Sequence, residues 1–174
     1  MENKHIVYLR ALEPEDYKVS IKWRKDEKIW SLLGGPKYFV SEEYERQWVL
    51  DAIHQSKNIR LAICTIDNNI YIGNIYLTNI DWISRKAESH ILIGNHDYWR
   101  SGYGTDAYSQ LIEFAFSQRN LHRLQALVLE NNIASQKLHE KLGFVREGIL
   151  RDSVFKDGKY KNQIIYSLLN DFRN

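Results

Sequence analysis

Two short segments of this chain have the residue types and spacing to do chemistry. The first, Tyr98-Trp99-Arg100-Ser101-Gly102-Tyr103-Gly104-Thr105, leads from an alternating apolar run into a helical pattern and carries two glycines two apart. At a helix N-terminus the first N–H groups lack intrahelical partners and the macrodipole is positive, so a glycine-rich entry lets backbone amides close on a phosphate. The Gly-Lys-Ser/Thr ending of a P-loop is absent, as are the third glycine and the acidic ribose partner of a dinucleotide site. The segment therefore reads as an anion cradle or as a plain tight turn. In the second segment, Asn132, Ser135 and His139 are spaced i, i+3, i+7 and share one helix face, beside an apolar stripe of Ala134, Leu138 and Leu142. Gly143 caps that helix and Phe144 returns the chain inward. Spacing alone also fits an ordinary surface helix capped by Asn131 or Asn132.

Other reactive side chains are sparser. His90, His96 and Asp97 match no usual metal-ligand spacing and read as structural or surface groups, so no metal is expected. Cys64, the only cysteine, sits in an alternating run as a small buried hydrophobe, and it excludes an intramolecular disulfide or a C-x-x-C site. The aromatics Trp23, Trp30, Tyr38 and Phe39 suit core packing, while the nearby Glu13, Asp26 and Glu27 would suit a cationic amine.

The elements that must hold these segments follow from periodicity. A strand over His5 to Leu12 precedes a helix begun by Pro14-Glu15-Asp16 and running to about Lys25. After Gly34-Gly35-Pro36, Ser41 caps a helix to about Ser56 with Tyr44, Trp48, Ala52 and Ile53 on one stripe. Ile59 to Ile63 and Ile70 to Asn79 form a hairpin around Asp67-Asn68-Asn69, and the apolar parity slips at Gly73-Asn74 as a bulge does. Lys86 to Gly94 alternates, setting Glu88, His90 and Leu92 on one face. A helix over Tyr103 to Arg119, a strand over His122 to Leu129 and a helix over Asn132 to Leu142 follow, so part of the sheet is parallel. Phe144 to Phe155, an Asp157-Gly158 turn and Lys161 to Leu169 make a closing hairpin. The class is α/β or α+β with a mixed sheet.

Composition narrows the function. The 174 residues, 44% hydrophobic and 26% charged, suit one folded domain and exclude a disordered or fibrous chain. A net charge of +2 without a basic block argues against nucleic acid or an anionic membrane as partner. No run reaches the roughly 18 apolar residues of a membrane span, and the start at Met1 is polar, which predicts a soluble cytoplasmic protein.

Together, the run from Leu92 to Ala107, Glu130-Asn131-Asn132-Ile133-Ala134-Ser135 and Lys141-Leu142-Gly143-Phe144 resemble the acyl-CoA-binding motifs of the GNAT superfamily of N-acetyltransferases. The opening Tyr8-Leu9-Arg10-Ala11-Leu12-Glu13-Pro14-Glu15-Asp16, with Gly143 to Gly148 and Asp157-Gly158-Lys159-Tyr160, is similar to the branch with ribosomal-protein N-terminal and spermidine acetyltransferases. The resemblance covers nearly the whole chain and implies a single domain over residues 1–174: a mixed, mostly antiparallel sheet splayed into a V, with helices on both faces. It implies acetyl-CoA in the opening. Amides from Arg100, Ser101, Gly102, Tyr103, Gly104 and Thr105 would hold the pyrophosphate; the strand edge at Leu92, Ile93 and Gly94 would bind the pantetheine arm; Asn132 and Ser135 would touch the same molecule.

Where the family's pattern opens with Gln or Arg, this loop has Trp99, the arginine following at Arg100. Where many members carry a tyrosine that protonates the departing thiolate, this chain has His139, which either donates its N–H or only lines the cleft. Glu88 stands where some members place the general base; the alternative is a solvent-facing strand carboxylate, and His90 is a second candidate two residues on. A backbone N–H near Leu92 would stabilise the oxyanion. The implied activity is direct transfer of acetyl to a primary amine in a ternary complex, the acceptor being a protein N-terminus, a polyamine or another small amine. The competing reading is a non-catalytic acyl-CoA-binding regulatory module. A homodimer is left open.

Overall fold

The computed structural model describes residues 5–35, 39–55 and 57–170. The expectations for Met1, Pro36, Tyr38 and Ser56 lie outside the described residues. Seven strands, β1 (Val7–Ala11), β2 (Ile59–Thr65), β3 (Tyr71–Asp81), β4 (Lys86–Ile93), β5 (Arg123–Leu129), β6 (Val145–Lys156) and β7 (Lys159–Leu169), form one sheet. Their spatial order is β1-β2-β3-β4-β5-β7-β6. Every neighbouring pair is antiparallel except β4 and β5.

Helices α1 (Tyr17–Arg24), α2 (Glu27–Leu32) and α3 (Glu42–His54) lie over one face of the sheet, and α4 (Tyr103–Glu113) and α5 (Ile133–Lys141) over the other. Strand alternation divides the core accordingly. Ile63 and Ile75 join Ala107, Tyr108 and Leu111 under α4, whereas Ala62, Cys64 and Tyr71 join Trp23, Ile29 and Val49 under the first three helices. The Pro14-Glu15-Asp16 turn is fixed by Arg10, whose guanidinium donates to both Asp16 carboxylate oxygens at 2.8 Å.

Three local departures from periodicity have physical causes. Helix α2 has no apolar stripe long enough to announce it. Its start is set by Asp26, whose carboxylate accepts from the Lys28 and Ile29 amides. In α3 the buried positions are Glu45, Val49 and Ala52, while Tyr44 and Ile53 are exposed. Glu45 is tolerated inside because Ser20 and Arg24 hold its carboxylate. The β3 bulge falls at Ile72, one residue before the expected slip, where Ile63 faces Gly73 and Cys64 faces Tyr71. Gly73 is required beside it, since a Cβ would come within 2.2 Å of the Leu92 carbonyl oxygen.

Strands β4 and β5 pair only at Lys86↔Arg123, Ala87↔Leu124 and Glu88↔Gln125. Residues 89–93 continue alongside β3 and residues 126–129 alongside β7, with no pairing between them. The sheet forks there, and two strand edges face each other across the opening.

Candidate active site at the forked sheet

The opening is floored by the last helix. Ser89, His90 and Ile91 of β4, residues 126–129 of β5, and Asn132, Ser135 and His139 of α5 line a cavity of about 120 Å³. The three α5 residues thus share one side of the cleft, as their spacing predicts. Asn132 caps the helix, its Oδ1 accepting from the Ser135 amide at 3.1 Å, and its Nδ2 donates to the Leu32 carbonyl at 3.0 Å. That second bond ties α5 to the segment after α2.

His139 is 3% exposed and packed among Tyr108, Phe144 and Tyr166. Its Nδ1 lies 2.7 Å from the Ser135 carbonyl, which can only accept, so Nδ1 carries a hydrogen. Its Nε2 lies 3.0 Å from the Tyr108 hydroxyl, which in turn lies 2.7 Å from Ser89 Oγ; that hydroxyl donates to the Gln125 carbonyl at 3.2 Å. Burial pushes the His139 pKa below the ordinary 6.5 and the Tyr108 phenol above 10.0. Tyr108 has one hydroxyl hydrogen, so when the neutral ring accepts it at Nε2 the Ser89 hydroxyl turns from Gln125 to donate to Tyr108. With Nε2 protonated, the same atoms form a chain running His139 to Tyr108 to Ser89 to Gln125. Tyr108, buried on α4, gave no signal in the sequence beyond its place on an apolar face.

The glycine loop joins β4 to α4 and packs near Ile91 and Ile93. Gly102 is the N-cap of α4 at φ +90°, and Arg100 precedes it at φ 60°. Helical bonding begins with Asp106 N to Gly102 O, so the amides of Tyr103, Gly104 and Thr105 precede the first intrahelical partner and project from the helix start. The Asp106 carboxylate accepts from the Ile6 and Val7 amides at 2.7 and 3.0 Å and thereby pins α4 to β1. A Cβ on Gly104 would meet only Ile93 and Ile91 side chains, at 3.7 and 3.8 Å, so packing alone does not demand glycine there. Amides left without intrahelical partners at a helix start have the chemistry to bind an anion such as a diphosphate. Trp99 holds the loop against β4 by donating from Nε1 to the Ile93 carbonyl at 2.8 Å, which accounts for an aromatic at that position.

The strand edge differs from expectation. Gly94 N donates to Ile72 O at 2.8 Å, and the β3–β4 register pairs Leu92 with Asn74. Backbone direction alternates along an antiparallel ladder, so Leu92 and Gly94 turn their polar groups toward β3 and away from the opening. The backbone groups of Ile91 and Ile93 face the opening instead, so the N–H near Leu92 that points there is that of Ile91, which parity could have indicated. The side chain of Leu92 lies on the other face, and Gly94 serves packing, because a Cβ would come within 2.0 Å of the Trp23 ring.

A second cavity of about 360 Å³ lies on the face covered by α1, α2 and α3. Trp23, Trp30, Trp48, Tyr76, Arg24, Arg60 and Glu45 line it, and it shares Leu33, Gly34, His90 and Ile91 with the first cavity. His90 thus stands where the cavities meet. Its Nε2 is 2.8 Å from Thr78 Oγ1 and 3.8 Å from Glu88 Oε2, and burial lowers its pKa below 6.5, opposed by the Glu88 charge and reinforced by that of Arg60. Glu88 stands behind His90 and lines neither cavity. Glu13, Asp26 and Glu27 also stay outside, and Phe39 is fully exposed. No cluster of three or more His, Cys, Asp or Glu side chains suited to a metal ion occurs among the described residues, and no described helix is long and apolar enough to cross a membrane.

This geometry has counterparts. The acetyltransferase (GNAT) domain family matches residues 7–145. The uncharacterized N-acetyltransferase p20 of Bacillus licheniformis is 29% identical over 163 residues, which cover 92% of this chain and 91% of that protein. The crystal structure of spermidine N-acetyltransferase from Vibrio cholerae in complex with CoA and spermine superposes with a TM-score of 0.86 at 26% identity, covering 94% of this chain and 95% of the other. A dodecameric structure of spermidine N-acetyltransferase from the same organism superposes with a TM-score of 0.78 at 25% identity, covering 94% and 93%. GNAT enzymes are acyltransferases of EC 2.3.1 that use acetyl-CoA. Since the family match spans most of the sheet, including the fork, the glycine loop and the last helix, the chain belongs to the GNAT acetyltransferase family.

Proposed function

We propose that this chain moves an acetyl group from acetyl-CoA directly onto a primary amine within a ternary complex, as one catalytic domain. The observation that carries this reading is the pair of cavities meeting at His90 and Ile91, one lined by Asn132, Ser135 and His139 at the sheet fork and the other walled by tryptophans. Acetyl-CoA supplies the activated acyl group; the N–C bond forms, the C–S bond breaks, and the proton leaving nitrogen ends on sulfur. Amides of residues 100–105 hold the diphosphate, with Arg100 and Ser101 at its outer edge. The edge groups of Ile91 and Ile93 receive the pantetheine arm, and Asn132 and Ser135 flank it.

An ammonium near pKa 10.4 must lose a proton before it attacks. His90, neutral and partnered by Glu88, takes that proton at the junction of the cavities. On the other side His139, whose neutral Nε2 bears no hydrogen, takes the proton that nitrogen sheds as the N–C bond forms and gives it to the departing sulfur. The lone, buried Cys64 suits a reducing cytoplasm.

Calorimetric titration with acetyl-CoA, followed by thiol release against an amine panel, tests this. Micromolar binding with intersecting initial-velocity lines supports direct transfer; parallel lines overturn it. Binding without turnover on any amine would favour the non-catalytic acyl-CoA module.

A further inference from the structure

The acceptor-side cavity has a charge pattern of its own. Its described lining sets two guanidiniums, Arg24 and Arg60, against one carboxylate, Glu45. That carboxylate is already partnered: Oε2 accepts from Arg24 Nε at 2.8 Å, Oε1 accepts from Ser20 Oγ at 2.6 Å, and the side chain is 1% exposed. The Arg60 guanidinium makes no hydrogen bond or ion pair among the described residues. It lies 5.3 Å from the centroid of a Trp48 ring, which that of Arg24 approaches to 5.1 Å.

Register places Arg60 in a row with the reaction centre. Arg60 of β2 pairs with Tyr76 of β3, and Tyr76 pairs with His90 of β4, so the three share a face across adjacent strands. At about 4.8 Å per strand, the Arg60 and His90 backbones stand roughly 10 Å apart. An acceptor whose nitrogen lies at His90 therefore extends its other end toward a guanidinium.

We propose, on the basis of the acetyl-transfer reading above, that this cavity selects a small amine carrying a carboxylate a few bonds from its nitrogen. The amine sits at His90, the carboxylate on Arg60, and the connecting methylenes lie between Trp23, Trp30 and Trp48. A guanidinium fork matches a carboxylate bidentately, and the tryptophan faces cover apolar stem. A polyamine would bring further ammonium groups beside two guanidiniums and find no unpartnered carboxylate among the described lining residues, so like-charge repulsion selects against it.

The test compares 6-aminohexanoate, 1-hexylamine and 1,5-diaminopentane on the wild type, Arg60→Gln and Arg60→Glu. Acetylation is read as kcat/KM, and acceptor binding by calorimetry on the CoA-saturated protein. The wild type should prefer 6-aminohexanoate. Arg60→Gln should lower kcat/KM and affinity for it at least about tenfold more than for 1-hexylamine, the ratio of one charge-assisted hydrogen bond. Arg60→Glu should shift the preference toward the diamine, a change of order that a loss of folding cannot produce. A wild type that prefers the diamine, or an Arg60→Gln variant that affects all three acceptors alike, overturns the proposal. Both results leave acetyl transfer standing. Absence of acetyl-CoA binding refutes the acetyl-transfer reading by itself, and in that case 6-aminohexanoate that fails to bind, or binds independently of Arg60, refutes the selectivity as well.

Discussion

At the scale of single residues, the histidines stand in surroundings that composition could not reveal. His139 replaces a phenol with a ring whose Nδ1–H is committed to the Ser135 carbonyl and whose Nε2 meets Tyr108. If it moves the proton, His139→Asn should lower kcat about a hundredfold while leaving acetyl-CoA affinity within twofold, measured by single-turnover kinetics and calorimetry. Burial holds both His90 and His139 below 6.5. The unfolded chain therefore binds protons that the folded chain refuses once the pH drops below 6.5, and the slope of stability against pH is positive in that window. The urea midpoint should stay flat above about pH 7 and fall toward about pH 5.5, with a shallower fall in His139→Asn. Spacing singled out His139, but its tautomer and its partner Tyr108 come from packing between α5 and α4.

At the scale of elements, positions are set by bonds between distant segments. The helix α4 start is pinned to β1 by Asp106, which fixes the cradle amides. Gly104→Ala should fold normally, because its Cβ meets only ordinary contacts. Gly104→Glu should weaken acetyl-CoA binding by more than about a hundredfold in calorimetry with unchanged circular dichroism, since it puts a carboxylate among the amides proposed to hold the diphosphate. The segment after α2 depends on Lys156 of β6, whose ammonium donates to the carbonyls of Trp30, Leu33 and Gly35 and is 5% exposed. Lys156→Met removes three charge-assisted bonds to this segment, costing about 1.5–3 kcal/mol in urea unfolding. Its kinetic mark should be a raised acceptor KM with acetyl-CoA affinity retained, because Leu33 and Gly34 line the junction of the cavities. The glycine loop, α4 and α5 were legible because capping and 3.6-residue periodicity are local. Helix α2 and the Lys156 tether were not, since one is short and the other joins residues 126 apart.

At the scale of the molecule, the two halves of the sheet meet at β4 and β5 through three residue pairs. A ligand that contacts both edges of the fork adds to that junction. Acetyl-CoA at about one hundred times its Kd should stabilise the fold by about 2.7 kcal/mol, raising Tm by about 5–10 °C in a thermal-shift measurement. A smaller rise with diphosphate alone would follow from contact with the α4 cradle only. By itself the sequence determined the kinds and order of the elements other than α2, the glycine entry to α4, the polar face of α5 and the family resemblance, because each rests on neighbours a few residues apart. Only the tertiary structure decided which edge groups face the opening, with Ile91 and Ile93 replacing Leu92 and Gly94, since a single register shift inverts that choice. It alone also placed Glu45, Arg24 and Arg60 around one cavity, for charge patterning along a chain says nothing of which side chains meet when strands and helices from distant segments pack together.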